Sequence, residues 1–205
     1  TCTKIQNIGA INNTGRGFDS YIGTAEDLSI DDVDCTFCGQ CIEACPTGAL
    51  HEKDSTQIVW EKLNDPDIYT VVQTAPAVRV ALGEEFGMDI GTNVTGKMVT
   101  ALKRLGFDRV FDTNTGADFT IVEEANEFIE RFTNGGTLPM ITSCSPGWVR
   151  YLEYEYPELI PHLSSAKSPH MMLGAMLKSY WAKQHNVDPK DIFVVSIMPC
   201  IAKKS

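Results

Sequence analysis

Four of the seven cysteines form the run Cys35-x2-Cys38-x2-Cys41-x3-Cys45-Pro46. This spacing is the one that holds a cubane iron–sulfur cluster. Three thiolates two residues apart can wrap one cube in a tight turn, with Gly39 supplying the backbone freedom. The fourth, beside the proline, points away and serves the other cluster of a two-cluster module. By the same crossover, Cys2 is predicted to complete the cluster of Cys35, Cys38 and Cys41. Cys45 is then left to a cluster whose other ligands lie upstream of Thr1. A zinc site or a set of redox thiols are the alternatives. A disulfide scaffold fits poorly, because the chain is too long to need staples and cysteines this close in sequence do not readily pair.

The remaining sulfurs sit in a different setting. In Leu138-Pro-Met-Ile-Thr-Ser-Cys144-Ser-Pro-Gly-Trp148 a short apolar run stops at a cysteine and a Pro-Gly turn. That pattern predicts a strand delivering one sulfur to the end of a sheet. Met198-Pro199-Cys200 and Gln73-Thr-Ala75-Pro76 end strands in the same manner. Ligands of open α/β sheets bind outside the carboxyl ends of the strands. Parallel strands would gather these turns at one edge, either as a second metal centre or merely as buried thiols.

The elements that must position these groups follow from periodicity. Strands are predicted at 68–73, 109–112, 138–142 and 192–197, and helices from 78, over 94–105, 118–132, 148–156 and 169–185. Ser168 and Pro169 are a cap and first-turn pair. Residues 121, 122, 125, 128, 129 and 132 form the apolar face of the 118–132 helix. Alternating strands and helices predict an α/β fold with a parallel sheet covered on both faces, at 66–205. It is preceded by a partial ferredoxin-like α+β module at 1–55, in which residues 12–34 read as an insertion. Gly91-Thr-Asn-Val-Thr-Gly96-Lys97 mimics a phosphate loop, but Met98 stands where a hydroxyl is needed and no apolar strand leads in, so Thr95 reads as a helix cap.

The bulk numbers set limits. In 205 residues, 43% hydrophobic and 21% charged content describe an ordinary globular protein. A net charge of −10 lacks the basic face that nucleic acid requires. No apolar run reaches the ~18 residues of a membrane span. The absence of an initiating Met and an end five residues beyond Cys200 predict an internal fragment, with a cytoplasmic location as the expectation.

Taken with these residues, the chain resembles the catalytic large subunit of iron-only (FeFe) hydrogenases. The resemblance rests on Thr142-Ser-Cys144-Ser-Pro-Gly-Trp148, Met198-Pro-Cys200-Ile-Ala-Lys203-Lys204, Thr120-Ile-Val-Glu-Glu124, Leu163-Ser-Ser-Ala-Lys-Ser-Pro169 and Ala75-Pro76-Ala77-Val-Arg79. It implies reversible reduction of protons to H2 at an H-cluster, a 4Fe-4S cubane bridged through cysteine to a di-iron unit with CO, cyanide and azadithiolate. It implies that Cys200 is a cubane ligand and that Lys203 contacts a cyanide. Met198, Ala75 and Pro76 would line the di-iron unit. Cys144, Glu124, Ser164 and Glu127 would relay protons. The partners implied are ferredoxin or a diaphorase-type NAD(P)H subunit, and maturation proteins that insert the di-iron unit.

The chain also departs from the family pattern. Ser145 stands where a second adjacent cysteine usually ligates the cubane. Either its oxygen ligates, or Cys144 takes that role, or the centre is altered; oxygen is the harder ligand and would shift the potential. His170 replaces the usual Gln, and Ala77 replaces a common Ser. The family's third motif, with two further cysteines, is not among these residues. Relatives of the family that serve in iron–sulfur assembly, or that sense H2, are the competing expectations; the retained relay residues favour catalysis.

Overall fold

The computed structural model describes residues 1–204. Its elements run β1 (Asn12–Thr14), β2 (Tyr21–Gly23), α1 (Gln40–Glu43), α2 (Thr56–Leu63), β3 (Tyr69–Thr74), α3 (Val78–Ala81), α4 (Thr95–Leu105), β4 (Arg109–Asp112), α5 (Asn114–Asn134), α6 (Pro146–Glu155), α7 (Pro169–Met176), α8 (Ala182–His185) and β5 (Ile192–Ile197). The chain divides into two compact units. One comprises Thr1–Lys53, Ser145–Pro161 and the segment from Cys200; the other comprises Asp54–Cys144 and His162–Pro199.

The second unit is built on a parallel three-stranded sheet in the order β4-β3-β5. β3 takes the centre because its run Tyr-Thr-Val-Val-Gln-Thr carries no charge and no proline, so both edges can pair. Successive strand residues face opposite sides. Val71 packs with Leu173, Leu177, Ala182 and Ile192, while Val72 packs with Met98, Leu102 and Phe107. Both valines are 0% exposed, and burying each such side chain stabilises the fold by roughly 1.5–3 kcal/mol. The sheet is therefore covered on both faces, as the alternation of elements predicts.

The predicted 169–185 helix exists, but α7 and α8 are joined by a π-helical segment, Leu177–Trp181. It brings Trp181 against Tyr69 and Phe111, with ring centroids 5.5 and 6.0 Å away. Ser168 caps α7 by accepting from the Met171 N–H, and Pro169 opens it.

Three expectations need correction. Residues 138–142 form no strand: only Ile141 makes a parallel bridge, to Leu163. Pro139 has no N–H to donate, and the ladder is reduced to Ile141 N–H to the His162 carbonyl and Ser164 N–H to the Ile141 carbonyl. Thr95 is the first residue of α4 rather than its cap; the Asn93 side chain accepts from both its N–H and its hydroxyl.

The third concerns α5, which is longer than predicted and turned the other way round. Its apolar stripe is exposed, with Ile121 63% and Phe132 68% accessible. Gly116 and Thr120 are buried, and Glu124, Glu127 and Arg131 continue the same side of the helix as half-buried residues. The close approach explains this. A Cβ at Gly116 would collide with the Pro169 carbonyl oxygen and lie 3.0 Å from the Leu173 Cβ, so only a residue without a side chain fits where α5 meets α7. Packing against α7 selects the small-residue face over the apolar one.

In the first unit, β1 and β2 pair as an antiparallel hairpin inside the stretch read as an insertion. Leu152, on α6, is fully buried. The loop from Cys35 enters α1 through Gly39 at φ 79°, a left-handed conformation natural to glycine.

Candidate functional site

In the first unit, Cys2, Cys35, Cys38 and Cys41 line one cavity of about 510 Å³, whose remaining walls include Ile8, Ile11 and Ile42. Burial pushes the Cys35 thiol above its ordinary value, and the charges of Cys41, Cys2 and Cys38 push it further. Burial likewise raises Cys41, with Cys38 and Cys2 adding to it. Thiols such as Cys35 and Cys41, whose ionisation is opposed by burial and by neighbouring sulfurs, suit a polynuclear cationic group. Among the described residues, no three His, Cys, Asp or Glu side chains converge tightly enough for a single metal ion. A cubane, several ångströms wide, asks its ligands to line a space instead, and Cys2, Cys35, Cys38 and Cys41 all line this one cavity. The Phe37 N–H donates to the Cys35 Sγ at 3.4 Å, and Phe37 itself is held at φ 52°. Bonds of this kind stabilise thiolate charge.

Cys45 is not part of that cavity. The Leu50 N–H, then the hydroxyl and N–H of Thr47, lower its thiol to about 6. Cys200 and Lys203 also belong to the first unit, where the Lys203 N–H donates to the Cys200 carbonyl at 3.2 Å. Ser145 precedes α6 as its cap residue; its backbone carbonyl accepts from the Val149 N–H at 3.1 Å, and its side chain makes no capping bond.

In the second unit, Ala75 and Met198 follow β3 and β5 at the carboxyl edge of the sheet. The Ala75 N–H donates to the Ile197 carbonyl at 3.0 Å, which ties the two strand ends together. Ala75 is buried, Pro76 exposed and Met198 half-buried. Gln73, 1% exposed, accepts from the Thr113 hydroxyl and donates to the His170 carbonyl, locking the starts of α5 and α7 to the central strand.

The relay candidates lie in the same unit. Ser164, 5% exposed, donates to Glu127 Oε2 at 2.7 Å, and the Ser165 N–H donates to both oxygens of that carboxylate at 3.1 and 3.0 Å. Burial works to raise the Glu127 pKa; the Ser164, Ser165 and Arg131 bonds overcome it, and the net shift is downward. Glu124 shifts upward, first by burial and then by the Glu127 charge. Two carboxylates one helical turn apart are thus shifted in opposite directions from their ordinary values, Glu127 toward the ionised form and Glu124 toward the protonated one. Cys144 is exposed in the loop before Ser145, and the neighbouring Ser143 donates to the Ala166 carbonyl at 3.0 Å, joining that loop to the Ser164 segment.

Sequence reasoning missed Arg131. Its guanidinium binds Glu127 Oε1 and the Leu163 carbonyl, both at 2.6 Å, and so fixes the carboxylate and the loop together. The i,i+4 spacing to Glu127 was the available signal.

Residues 68–205 match the family described as "Iron only hydrogenase large subunit, C-terminal domain", and residues 28–51 match a 4Fe-4S binding domain. The NADP-reducing hydrogenase subunit HndD of Solidesulfovibrio fructosivorans is 47% identical over 99% of this chain and 36% of its own length. An apo FeFe-hydrogenase HydA1 structure from Chlamydomonas reinhardtii shares 48% identity and a TM-score of 0.69, covering 73% of this chain and 39% of that one. The cytosolic Fe-S cluster assembly factor narfl of Xenopus tropicalis is 34% identical over 83% of this chain and 38% of its own. The chain spans about a third to a half of the length of the hydrogenase relatives it matches. Among the described residues no helix is long and apolar enough to cross a membrane.

Proposed function

Because the chain belongs to the iron-only hydrogenase large-subunit family, we propose that it is the cluster-bearing and proton-relaying portion of an enzyme that interconverts protons and H2. Electrons would pass by way of a 4Fe-4S cluster held by Cys2, Cys35, Cys38 and Cys41, and Cys45 would serve a second cluster. Cys200, with Ser145 or Cys144, would help hold the H-cluster. When bound, that group supplies the di-iron site at which protons and electrons combine. Lys203 would offer a cation to its anionic ligands, and Met198, Ala75 and Pro76 would shield it from water.

The observation that carries this reading is the opposed pair Glu127 and Glu124, joined to Ser164. A proton from solvent meets an ionised carboxylate at Glu127, where the Ser164 hydroxyl is already donating. Ser164 can pass its proton on while accepting another, and Glu124, whose affinity for a proton is raised, would take one up for delivery toward Cys144. An assembly scaffold, the role named for the narfl relative, has no use for such a path. An electron partner of the NAD(P)H-linked diaphorase type agrees with the name of the HndD relative; ferredoxin is the other candidate, and maturation proteins would deliver the di-iron unit.

Glu124→Gln in the full-length hydrogenase keeps the side chain's shape and removes its proton exchange. H2 turnover should fall by roughly 10²-fold or more, with the cluster signals in electron paramagnetic resonance (EPR) intact. Normal turnover would sink the relay.

A further inference from the structure

Arg150 lies on α6, more than a hundred residues beyond the cysteine run, yet it is bound to that run within the first unit. Its Nε donates to the Cys35 carbonyl at 3.1 Å, and its guanidinium sits 4.7 Å from the centre of the Phe37 ring. On the other side Nη2 donates to the Tyr154 hydroxyl at 2.8 Å. The side chain is half-buried, so its charge is only partly screened by water. The loop it grips needs gripping, since Phe37 occupies a left-handed conformation that side chains other than glycine seldom adopt. The same loop is held from below by two close approaches: Thr36 oxygen would lie 3.0 Å from a Cβ at Gly147, and Ile201 Cδ1 would lie 2.7 Å from one at Gly39. The charged residues lining the cavity balance by sign, Asp31 and Glu52 against Lys53 and Lys204. Arg150 adds a positive charge on the Cys35 side with no acid bound to it among its hydrogen bonds.

We propose that Arg150 is a positioning residue for the cluster of Cys2, Cys35, Cys38 and Cys41, holding the Cys35–Cys38 loop in its ligating shape and raising the cluster's reduction potential by its charge. The proposal rests on the reading of that cavity as a 4Fe-4S site. Reduction adds one electron to a cluster already surrounded by thiolates, so a nearby cation favours the reduced form. Arginine suits the task better than lysine, because only a planar fork can bond the Cys35 carbonyl and Tyr154 while stacking on Phe37.

The test compares the 205-residue chain with R150K and R150Q, each reconstituted anaerobically with iron and sulfide. Iron content, an EPR-monitored redox titration and the rate of iron loss to a chelator are read, with Cys38→Ser identifying the signal. R150Q should lower the reduced-to-oxidised ratio at fixed potential about tenfold, ~59 mV for a one-electron couple. R150K should keep the parent's ratio within about twofold and release iron several-fold faster, because charge survives and the fork does not. An R150Q titration within twofold of the parent overturns the electrostatic role. An R150K chain that releases iron at the parent's rate overturns the positioning role, and this arm stands even if R150Q takes up no cluster. A parent chain that takes up no cubane would instead refute the functional reading of the cavity, a separate failure with its own signature.

Discussion

Removing the Ser164 hydroxyl gives the sharpest check on the relay geometry. In Ser164→Ala the 2.7 Å bond to Glu127 is lost, and the Ala166 N–H, which donates to Ser164 Oγ at 3.1 Å, loses its acceptor. A hydrogen bond to a charged group contributes about 1.5–3 kcal/mol. Glu127 keeps Arg131 and the Ser165 N–H, so the loss should fall in the lower part of that range, about 2 kcal/mol, in urea unfolding of the cluster-free chain at pH 7. Combining Ser164→Ala with Glu127→Gln isolates the pair, and a coupling of about 1–2 kcal/mol is expected. The sign with pH is also fixed. The Glu127 pKa is depressed in the folded chain relative to its ordinary 4.5, so its contribution is present above that value and is lost as pH falls through the folded one. The Ser164→Ala penalty should therefore shrink across that acid window. Additivity of the two substitutions within about 0.4 kcal/mol, or a penalty independent of pH, would refute the reasoning.

Two further substitutions probe the frame around the sites. Cys2→Ser should abolish or reshape the EPR signal of the cavity cluster and lower bound iron, whereas Cys45→Ser should leave that signal alone; an unchanged signal in Cys2→Ser rejects Cys2 as the fourth ligand. Gly116→Ala forces a methyl onto the Pro169 carbonyl where α5 meets α7 and should cost about 1–3 kcal/mol in thermal or urea unfolding, so unaltered stability would mean the helices can separate there freely.

How much could be read in advance differs from element to element. β4 and β5 were legible to the residue, because bare apolar runs bounded by turn residues admit little else. The 138–142 segment looked similar, but one proline removed the donor a ladder needed, and the sequence does not say whether a neighbour will tolerate that. For α5 the period gave the helix and its stripe correctly, while the direction it faces depends on a contact with Pro169 that lies some fifty residues away. For the same reason Glu124 and Glu127 looked like surface carboxylates in pattern alone. The cysteine run was plain because its spacing is itself the geometry. Arg131 and Arg150 were not, since nothing in a lone arginine announces which distant carbonyl it will bind.

The first compact unit is assembled from pieces that leave the ribosome at very different times. The loop of Cys35 to Cys41 emerges early, but the side chains that brace it, Arg150 and Ile201, follow about 110 and 160 residues later. At 5–20 residues per second the last brace arrives roughly 8–30 s after the cysteines. During that interval the thiols are in place on the chain while the loop lacks its full support. A cluster placed on the loop within that interval would sit on ligands not yet braced. The same arrangement means that expressing residues 1–53 alone would yield the ligands without their braces.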